Sequence, residues 1–331
     1  MSKTKKAAIW ATGSYLPQKV LSNFDLEKMV DTSNEWIVLR TGIRERRIAA
    51  PHEHSSYMGA QAAKKAIVNS NLRKDQIECI LFSTAAPDYI FPSTATLAQA
   101  YLGIEEIPAF DCQAACSGYL YGLSVAKAYV ESGAYKNVLL MAADKLSSFV
   151  NYEDRNTCVL FGDGGAACVI GESRPGALEI HQVCLGADGR LGELLSLPAG
   201  GSRHPASEET LRSGKHYMAM EGKEVFKHAI RRMESSAKTA IALAGIQEED
   251  IHWLVPHQAN ERIIDAMAKR FNVDPSRVFK SIHKYGNTAA SSVGIALDEL
   301  IHTECIDPHQ YLLLTAFGGG LSWGAVILEQ V

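Results

Sequence analysis

One cysteine stands where it could serve as a covalent nucleophile. Cys116 lies in DCQAACSGYLYGL, between the strand-like stretch IPAF and a helical pattern that ends at Gly133. Unpaired N–H groups and the helix dipole at a helix start favour an anion there. We therefore expect the helix N-terminus to lower the pKa of the thiol, which favours the nucleophilic thiolate. The competing interpretation is a buried structural cysteine, the ordinary fate of an isolated cysteine.

Two further polar residues stand at the ends of predicted elements, where catalytic groups of α/β proteins collect. His257 follows the strand-like IHWLVP directly, and an amphipathic helix begins near Asn260. Asn287 lies in a Gly-Asn-Thr turn ahead of a helix whose first turn is rich in small residues. Taken singly, His257 could equally be an ordinary loop histidine, and Asn287 an ordinary Asx-turn or N-cap residue. The three glycines of TAFGGGLSWG permit a positive φ and close approach to a ligand.

A faint internal repeat indicates how these residues are positioned. Residues 63–85 and 237–259 share a helix with Ala, Lys and Ile in step, an acidic turn and a buried strand. FGDGGAACVIGE, residues 161–172, similarly resembles FGGGLSWGAVILE, residues 317–329. The repeat predicts a duplicated α/β molecule with pseudo-twofold symmetry. Strands such as CILFSTA and VLLMAA lack polar alternation, as expected when both faces are covered.

The repeat divides the chain into two expected halves, residues 1–172 and 173–331. Cys116 belongs to the first half, whereas His257 and Asn287 belong to the second. If all three act together, the site must lie between the halves.

Composition excludes several classes of protein. With 33 Lys and Arg against 37 Asp and Glu, the formal charge of −4 argues against a general nucleic-acid binder. The apolar run VLLMAA is far shorter than the ~20 residues of a membrane span, and the N-terminus has no apolar core of signal-peptide length. Seven cysteines without a CxxC pair predict a reducing compartment, hence a cytoplasmic protein. Cys112 and Cys116 lack a second ligand pair for zinc, and GDGGAA leads into a strand rather than the helix of a dinucleotide fingerprint.

Together these segments resemble the thiolase superfamily and, within it, the β-ketoacyl-acyl-carrier-protein synthase III family. The resemblance runs from about Ala8 to Glu329. The Cys-His-Asn set narrows it, since elongating synthases carry histidine where this chain has Asn287, and thiolases carry a second cysteine in the C-terminal glycine region. Plant-type polyketide synthases share the set but are usually longer. The motifs, in the family's order, are WIVLRTGIRERR, DCQAACSG, DRNTCVLFGDGG, EVFKHA, VPHQAN, YGNTAASS and FGGGLSWG.

The resemblance implies a thiolase fold, a five-layer α/β/α/β/α duplication, and an initiating condensing enzyme of type II fatty acid synthesis. Cys116 would accept an acyl group, expected to be acetyl, from acyl-CoA. His257 and Asn287 would then donate hydrogen bonds to the thioester carbonyl of malonyl-acyl-carrier protein during decarboxylative condensation. Backbone N–H groups of Cys116 and Gly319 would form the oxyanion hole. The family's chemistry needs no metal and no redox cofactor.

The resemblance also assigns substrate-binding positions. Trp36 and Arg155 match the pair that sandwiches the CoA adenine, an arrangement that stacking and cation–π attraction favour. Many relatives have glycine after that arginine, whereas this chain has Asn156, so the resemblance does not define the fine shape of the adenine site. The other matched CoA positions are Thr32, Arg40 and Asn260.

Partner contacts complete what the resemblance implies. Phe91 matches a position that reaches across a homodimer to limit the partner's acyl pocket; the alternative is a loop phenylalanine in its own core. Lys227 and Arg262 match positions at the tunnel mouth, where an acidic carrier protein would dock; otherwise their charges form a solvated face.

Two other functions stay open from sequence alone. A related Cys-His-Asn ketoacyl synthase of secondary metabolism would use malonyl-CoA or another acceptor. A non-catalytic acyl-binding subunit would typically lack the nucleophile, so Cys116 argues against it.

Overall fold

Strands and helices alternate along most of the chain in a computed structural model, which describes residues 5–331. The strands are β1 (Ala7–Tyr15), β2 (Lys19–Ser22), β3 (Glu45–Ile48), β4 (Cys79–Ser83), β5 (Ala109–Asp111), β6 (Val138–Asp144), β7 (Gly164–Glu172), β8 (Leu178–Ala187), β9 (Leu195–Ser196), β10 (Ala219–Met220), β11 (Ile251–Pro256), β12 (Tyr311–Gly318) and β13 (Ser322–Gln330). The α-helices are α1 (Asn23–Leu26), α2 (Asn34–Thr41), α3 (Ser55–Ser70), α4 (Thr94–Leu102), α5 (Gly118–Ser132), α6 (Arg155–Cys158), α7 (Glu208–Arg212), α8 (Gly222–Ala244), α9 (Glu261–Arg270), α10 (Ile282–Tyr285) and α11 (Ser291–Thr303).

The main sheet contains two matching sets of strands. Its nine strands are hydrogen-bonded in the order β11-β12-β13-β8-β1-β7-β6-β4-β5. The sets meet where β1 pairs with β8 through only two residue pairs, Ala8 with Glu179 and Ile9 with Leu178. In both sets the repeated strands take the same places, so that β4 matches β11 and β7 matches β13. The junction lies close to the expected division of the chain, although the division into two domains stays a prediction.

Helices cover both faces of each set of strands, which gives the five layers expected from sequence. Helices α5 and α11 share one hydrophobic cluster with strands of both sets. Helices α3 and α4 pack on the other face of the first set, and α8 and α9 on the other face of the second. Along β12, Leu312 and Leu314 belong to the central cluster and Leu313 to the outer one. Because both faces of the strand are buried, its side chains do not alternate between apolar and polar. Burial of each leucine side chain stabilises the fold by about 1.5–3 kcal/mol.

The structure has the predicted end of the helix after Cys116 and the predicted strand after GDGGAA. Helix α5 ends at Gly133, which has a φ of +77°, as expected for a glycine C-cap. GDGGAA leads into strand β7 and not into a helix, which agrees with the rejection of a dinucleotide site. Within residues 5–331, none of the helices combines the length and apolar character needed to cross a membrane.

Candidate active site

The three residues singled out from sequence line one deep cleft of about 1990 Å³. Cys116 lies just before α5, His257 directly after β11 and Asn287 in the turn before α11. They retain only 8%, 3% and 6% exposure, respectively. The site thus combines both halves of the chain, and its polar groups lie largely out of water.

Cys116 lies in a short 3₁₀ turn that leads into α5. The preceding residue, Ala115, has a φ of +44°, a left-handed conformation that costs a non-glycine residue about 1–3 kcal/mol. Two serines hold this turn: the Ser117 and Ser322 hydroxyls both donate to the carbonyl of Ala114, at 2.8 and 2.9 Å. Neighbouring structure therefore fixes the strained backbone around the nucleophile.

The ionisation of Cys116 differs from the sequence expectation. Burial, assisted by the nearby negative charge of Asp144, raises the pKa of the thiol to about 12. The prediction that the helix N-terminus would lower this pKa is wrong, because α5 begins only at Gly118 and the burial of the sulfur outweighs the helix end. The shift favours the thiol form of the resting nucleophile, whose proton leaves during attack.

The glycine loop between β12 and β13 lies against the start of α5. A Cβ at Gly318 would stand 2.6 Å from the backbone nitrogen of Cys116, so only glycine allows this approach. A Cβ at Gly319 would stand 2.9 Å from the carbonyl oxygen of Leu195. The glycine loop thus packs directly against the backbone of Cys116.

A residue that sequence reasoning missed, Asp188, anchors this loop through its backbone. Asp188 exchanges two backbone hydrogen bonds with Leu321, at 2.8 and 3.0 Å. Arg190 donates two hydrogen bonds to its carboxylate, each at 2.8 Å, and this pairing holds the pKa of Asp188 down at about 2. Arg232 also donates to the Asp188 carboxylate, at 3.4 Å, and lies over the Trp323 ring.

His257 is held as a neutral hydrogen-bond donor. Its backbone N–H donates to Thr315, and its Nδ1 lies 2.5 Å from the Ser292 hydroxyl. The Ser292 hydroxyl also accepts the N–H of Gln258 at 3.4 Å. If Nδ1 accepts the Ser292 hydrogen, the neutral imidazole carries its own hydrogen on Nε2. Burial lowers the pKa of His257 to about 4. Ser292 was not identified from sequence; the small-residue run TAASS was its only signal.

Asn287 is fixed by its backbone and by its side-chain oxygen. Its N–H donates to Leu160 at 2.9 Å, and its carbonyl accepts from Gly162 at 3.0 Å. Its Oδ1 accepts the N–H of Ala289 at 2.9 Å. The amide nitrogen has no hydrogen-bond acceptor among residues 5–331, so it is available as a donor in the cleft.

Four of the five predicted CoA contacts line the mouth of the same cleft, namely Trp36, Arg40, Arg155 and Asn260. The Arg155 guanidinium lies 5.2 Å from the centre of the Trp36 ring, so the proposed sandwich partners contact each other. An adenine can enter between them only if Arg155 moves. Asn260 caps α9 and donates to the Arg40 carbonyl, which ties the two sides of the mouth together.

The remaining CoA positions are less direct. Thr32 does not line the cleft; its hydroxyl is buried and finds no hydrogen-bond partner within the described part of the chain. Asn156 lines the cleft beside Arg155, and Asp154 accepts hydrogen bonds from both its backbone and its side chain. The residue that replaces glycine is therefore held against Asp154.

The expected carrier-binding residues stand at the rim. Lys227 and Arg262 are exposed and border the cleft. Lys227 pairs with Glu224 at 2.7 Å, and Arg262 lies over the Phe226 ring at 5.4 Å. Two cations thus face solvent beside the entrance to the buried site.

Phe91 lies outside the cleft lining. It is 84% exposed, and its neighbours Tyr89 and Ile90 are 61% and 80% exposed. The interpretation that Phe91 packs in the core of its own chain is therefore wrong.

Comparison with known proteins points to one family. The model of the 3-oxoacyl-[acyl-carrier-protein (ACP)] synthase III family matches residues 110–189, and that of its C-terminal part matches residues 241–330. The β-ketoacyl-[acyl-carrier-protein] synthase III of Chlamydia pneumoniae is 80% identical over 331 residues, covering 100% of this chain and 99% of that protein.

Solved structures give the same result. The 3-oxoacyl-[acyl-carrier-protein] synthase III of Aquifex aeolicus VF5 is 46% identical, with a TM-score of 0.89 over 98% of this chain and 99% of that one. The priming β-ketosynthase of the R1128 polyketide biosynthetic pathway is 32% identical, with a TM-score of 0.90 over 99% of this chain and 97% of that one. These matches confirm the fold predicted from sequence.

Proposed function

This chain belongs to the 3-oxoacyl-[acyl-carrier-protein] synthase III family, the initiating condensing enzymes of type II fatty acid synthesis, and we propose that Cys116, His257 and Asn287 carry out its reaction. The enzyme is an acyltransferase that condenses an acyl-CoA with malonyl-acyl-carrier protein. The observation that carries the assignment of residues is the meeting of a buried thiol with two neutral hydrogen-bond donors in one cleft.

In the first half-reaction, the sulfur of Cys116 attacks the thioester carbonyl of the acyl-CoA and loses its proton. A sulfur–carbon bond forms, and the backbone N–H groups of Cys116 and Gly319 bind the oxyanion. One such donor is typically worth about 2.7–4 kcal/mol. The intermediate collapses as the bond to CoA breaks, and CoA leaves with a proton as a free thiol. The acyl group, which we expect to be acetyl, stays on Cys116.

In the second half-reaction, His257 and Asn287 donate hydrogen bonds to the thioester carbonyl of the malonyl group. The bond to the carboxylate breaks, carbon dioxide leaves, and its electron pair forms an enolate that these donors stabilise. The enolate carbon attacks the acyl-cysteine carbonyl. Cys116 is released and recovers a proton, and the product is a 3-oxoacyl-carrier protein.

The electron pair of the broken carbon–carbon bond becomes the new carbon–carbon bond, so the reaction needs neither a redox cofactor nor a metal. CoA thioesters are substrates. All seven cysteines are unpaired, which supports a cytoplasmic, reducing environment.

The acceptor and the primer are tested together. A panel of acyl-CoA primers is offered with malonyl-carrier protein or with malonyl-CoA, and mass spectrometry follows the acyl-enzyme and the product. Acetyl-CoA with malonyl-carrier protein is expected to give the fastest turnover. Equal turnover with malonyl-CoA would instead favour the ketoacyl synthase of secondary metabolism, an alternative supported by the similarity to the R1128 priming enzyme. Absence of any acyl-enzyme would favour a non-catalytic subunit.

The exposed loop around Phe91 supports a homodimer. Apolar side chains this exposed, next to the edge strand β5, are a typical interaction surface. On β5 itself, Phe110 is 37% exposed. We propose that Phe91 enters the acyl pocket of a second copy and limits the primer it accepts.

Phe91→Asp is expected to weaken the dimer, because it places a charge in an apolar pocket. It is also expected to broaden primer use, because it removes the ring that limits the pocket. Sedimentation velocity and the primer panel measure the two effects. Val68→Asp is the matched control, since Val68 is 73% exposed on α3. A stable dimer with unchanged primer preference in Phe91→Asp would contradict the proposal.

We also propose that Lys227 and Arg262 receive the acidic carrier protein. Reversing both charges to glutamate adds repulsion and removes attraction, so the KM for malonyl-carrier protein is expected to rise about tenfold or more, equivalent to ~1.4 kcal/mol. Acetyl transfer from CoA to Cys116 is expected to change little. Steady-state kinetics at low and high ionic strength measure both, and salt should reduce the defect.

Lys64 and Lys136 provide the control for this charge reversal. Both are exposed and lie outside the cleft lining, so reversing them changes the net charge equally without altering the rim. If activity falls equally with malonyl-carrier protein and with acetyl-CoA, or if the defect does not depend on salt, Lys227 and Arg262 contribute to CoA binding or to stability and not to carrier docking.

A further inference from the structure

A buried carboxylate that the reaction above does not use lies beside the site. Asp144 ends β6 and is fully buried. Its Oδ1 accepts hydrogen bonds from the Thr84 hydroxyl at 2.9 Å and from the N–H groups of Ala85 and Ala86 at 2.6 and 3.1 Å. Its Oδ2 accepts the N–H of Ala290 at 2.9 Å. The first three partners belong to the half of the chain that carries Cys116, and the fourth belongs to the other half.

The bond to Ala290 reaches the turn that carries Asn287. Between them lies Ala289, whose φ of +46° is a left-handed conformation that alanine rarely adopts. The N–H of Ala289 donates to the Oδ1 of Asn287. Any relaxation of this turn toward an ordinary φ would rotate that N–H group and release the side-chain oxygen of Asn287. The amide nitrogen would then lose its orientation toward the cleft.

The carboxylate suits this position in a way that an amide does not. Asp144 accepts hydrogen bonds on both oxygens, and all four donors are neutral. Asparagine has one acceptor oxygen and an NH₂ group that cannot accept. The NH₂ group of an asparagine here would therefore point at a donor, either the N–H of Ala290 or the donors of the Thr84 segment, and that donor would lose its acceptor. Burial raises the pKa of Asp144 to about 6, whereas the four donated hydrogen bonds favour the carboxylate form.

We propose that Asp144 is a positioning residue for the second half-reaction: it holds the strained turn at Ala289 through Ala290, so that the Asn287 amide nitrogen stays aimed at the malonyl thioester. The inference rests on the role proposed above for Asn287. It also makes Asp144 a direct link between the thiol-bearing half and the turn that stabilises the enolate.

Asp144→Asn tests the proposal by separating the half-reactions. Decarboxylation of malonyl-carrier protein and condensation are expected to fall about tenfold or more in kcat, because a buried donor loses its acceptor. The KM for malonyl-carrier protein is expected to stay within about threefold of wild type. Acetyl transfer to Cys116 is expected to fall by no more than about threefold, because removing the negative charge of Asp144 does not disfavour the thiolate. Every rate is expressed per enzyme molecule whose Cys116 can be acetylated, so that unfolded protein does not enter the comparison.

Two combinations with neighbouring variants sharpen the test. In an Asn287→Ala enzyme, adding Asp144→Asn should cause no further loss, because Asp144 acts through that side chain. In an Asp144→Asn enzyme, adding Ala289→Gly should recover part of the decarboxylation rate, since glycine adopts the left-handed turn without support. A general structural defect would show neither behaviour.

Asp298→Asn is the matched control. Asp298 is also a buried carboxylate that joins the two halves, since it accepts the Thr12 hydroxyl at 2.6 Å. The Asp298→Asn substitution is expected to lower the melting temperature while leaving the ratio of the rates of the two half-reactions unchanged. Asp144→Asn slowing both half-reactions equally, or multiplying with Asn287→Ala, would overturn the inference. If Asn287→Ala itself decarboxylates at the wild-type rate, the role of Asn287 fails and the inference fails with it.

Discussion

Cys116→Ala is expected to abolish acyl-enzyme formation and to reduce turnover by several orders of magnitude. Removal of a covalent nucleophile eliminates the first half-reaction, whereas neighbouring groups can only modulate its rate. Incubation with acetyl-CoA, digestion and mass spectrometry should find the acetyl adduct on the peptide containing Cys116 in the wild-type enzyme and nowhere in the variant. Decarboxylation of malonyl-carrier protein should survive in part, because its proposed donors are untouched.

Two other cysteines provide controls of matched chemistry. Cys158 is buried close to the cleft wall and Cys112 is half-buried four residues before the nucleophile. Burial raises the pKa of both thiols, that of Cys158 to about 11. Cys112→Ala and Cys158→Ala should still form the acyl-enzyme. An acetyl adduct that persists on either cysteine in Cys116→Ala would refute the assignment of the nucleophile.

Local patterns predicted the elements of the site because each motif ends an element. His257 follows a strand and Asn287 precedes a helix, and both positions can be read from apolar runs and turn residues within about ten positions. The repeat predicted the paired sets of strands for the same reason. Grouping Cys116 with His257 and Asn287, however, depended on resemblance to a family, since no local pattern joins residues so far apart.

The supporting groups could not be predicted because their contacts are non-local. Asp144 meets Ala290 across 146 positions of the chain. Asp188 joins the glycine loop through backbone hydrogen bonds that carry no sequence signal. The ionisation of Cys116 was mispredicted since a helix start is visible in a sequence, whereas the depth of burial around a sulfur atom is not.

The pKa shifts of the two groups favour hydrogen-bond donation over acid–base chemistry. Burial lowers the pKa of His257 and raises that of Cys116, and both shifts disfavour an imidazolium–thiolate pair. A neutral histidine and an amide can stabilise an enolate without protonating it, whereas an imidazolium would tend to quench the carbanion before it attacks. The low dielectric of the cleft strengthens both hydrogen bonds.

Replacement of His257 is expected to have the second-largest effect. His257→Ala should slow decarboxylation about 10²–10³-fold, the usual effect of losing one donor to a developing oxyanion. Acetyl transfer to Cys116 should fall much less. His257→Gln retains an N–H donor and should recover part of the decarboxylation rate. His309→Gln is the control, because the His309 side chain is 83% exposed. A His257→Ala enzyme that decarboxylates malonyl-carrier protein normally would show that the imidazole has no part in this step.

The pH dependence of stability gives this prediction a second, independent measurement. The pKa of His257 is about 4 when folded and ~6.5 in the unfolded chain, so the unfolded state binds the extra proton first. The stabilisation is fully present above pH ~6.5 and is lost as the pH falls toward 4, by about 3 kcal/mol in total. The wild-type melting temperature should therefore drop more steeply over this range than that of His257→Gln, which does not titrate. Parallel melting curves would mean that folding does not lower the pKa of His257, which would contradict the buried neutral donor proposed here.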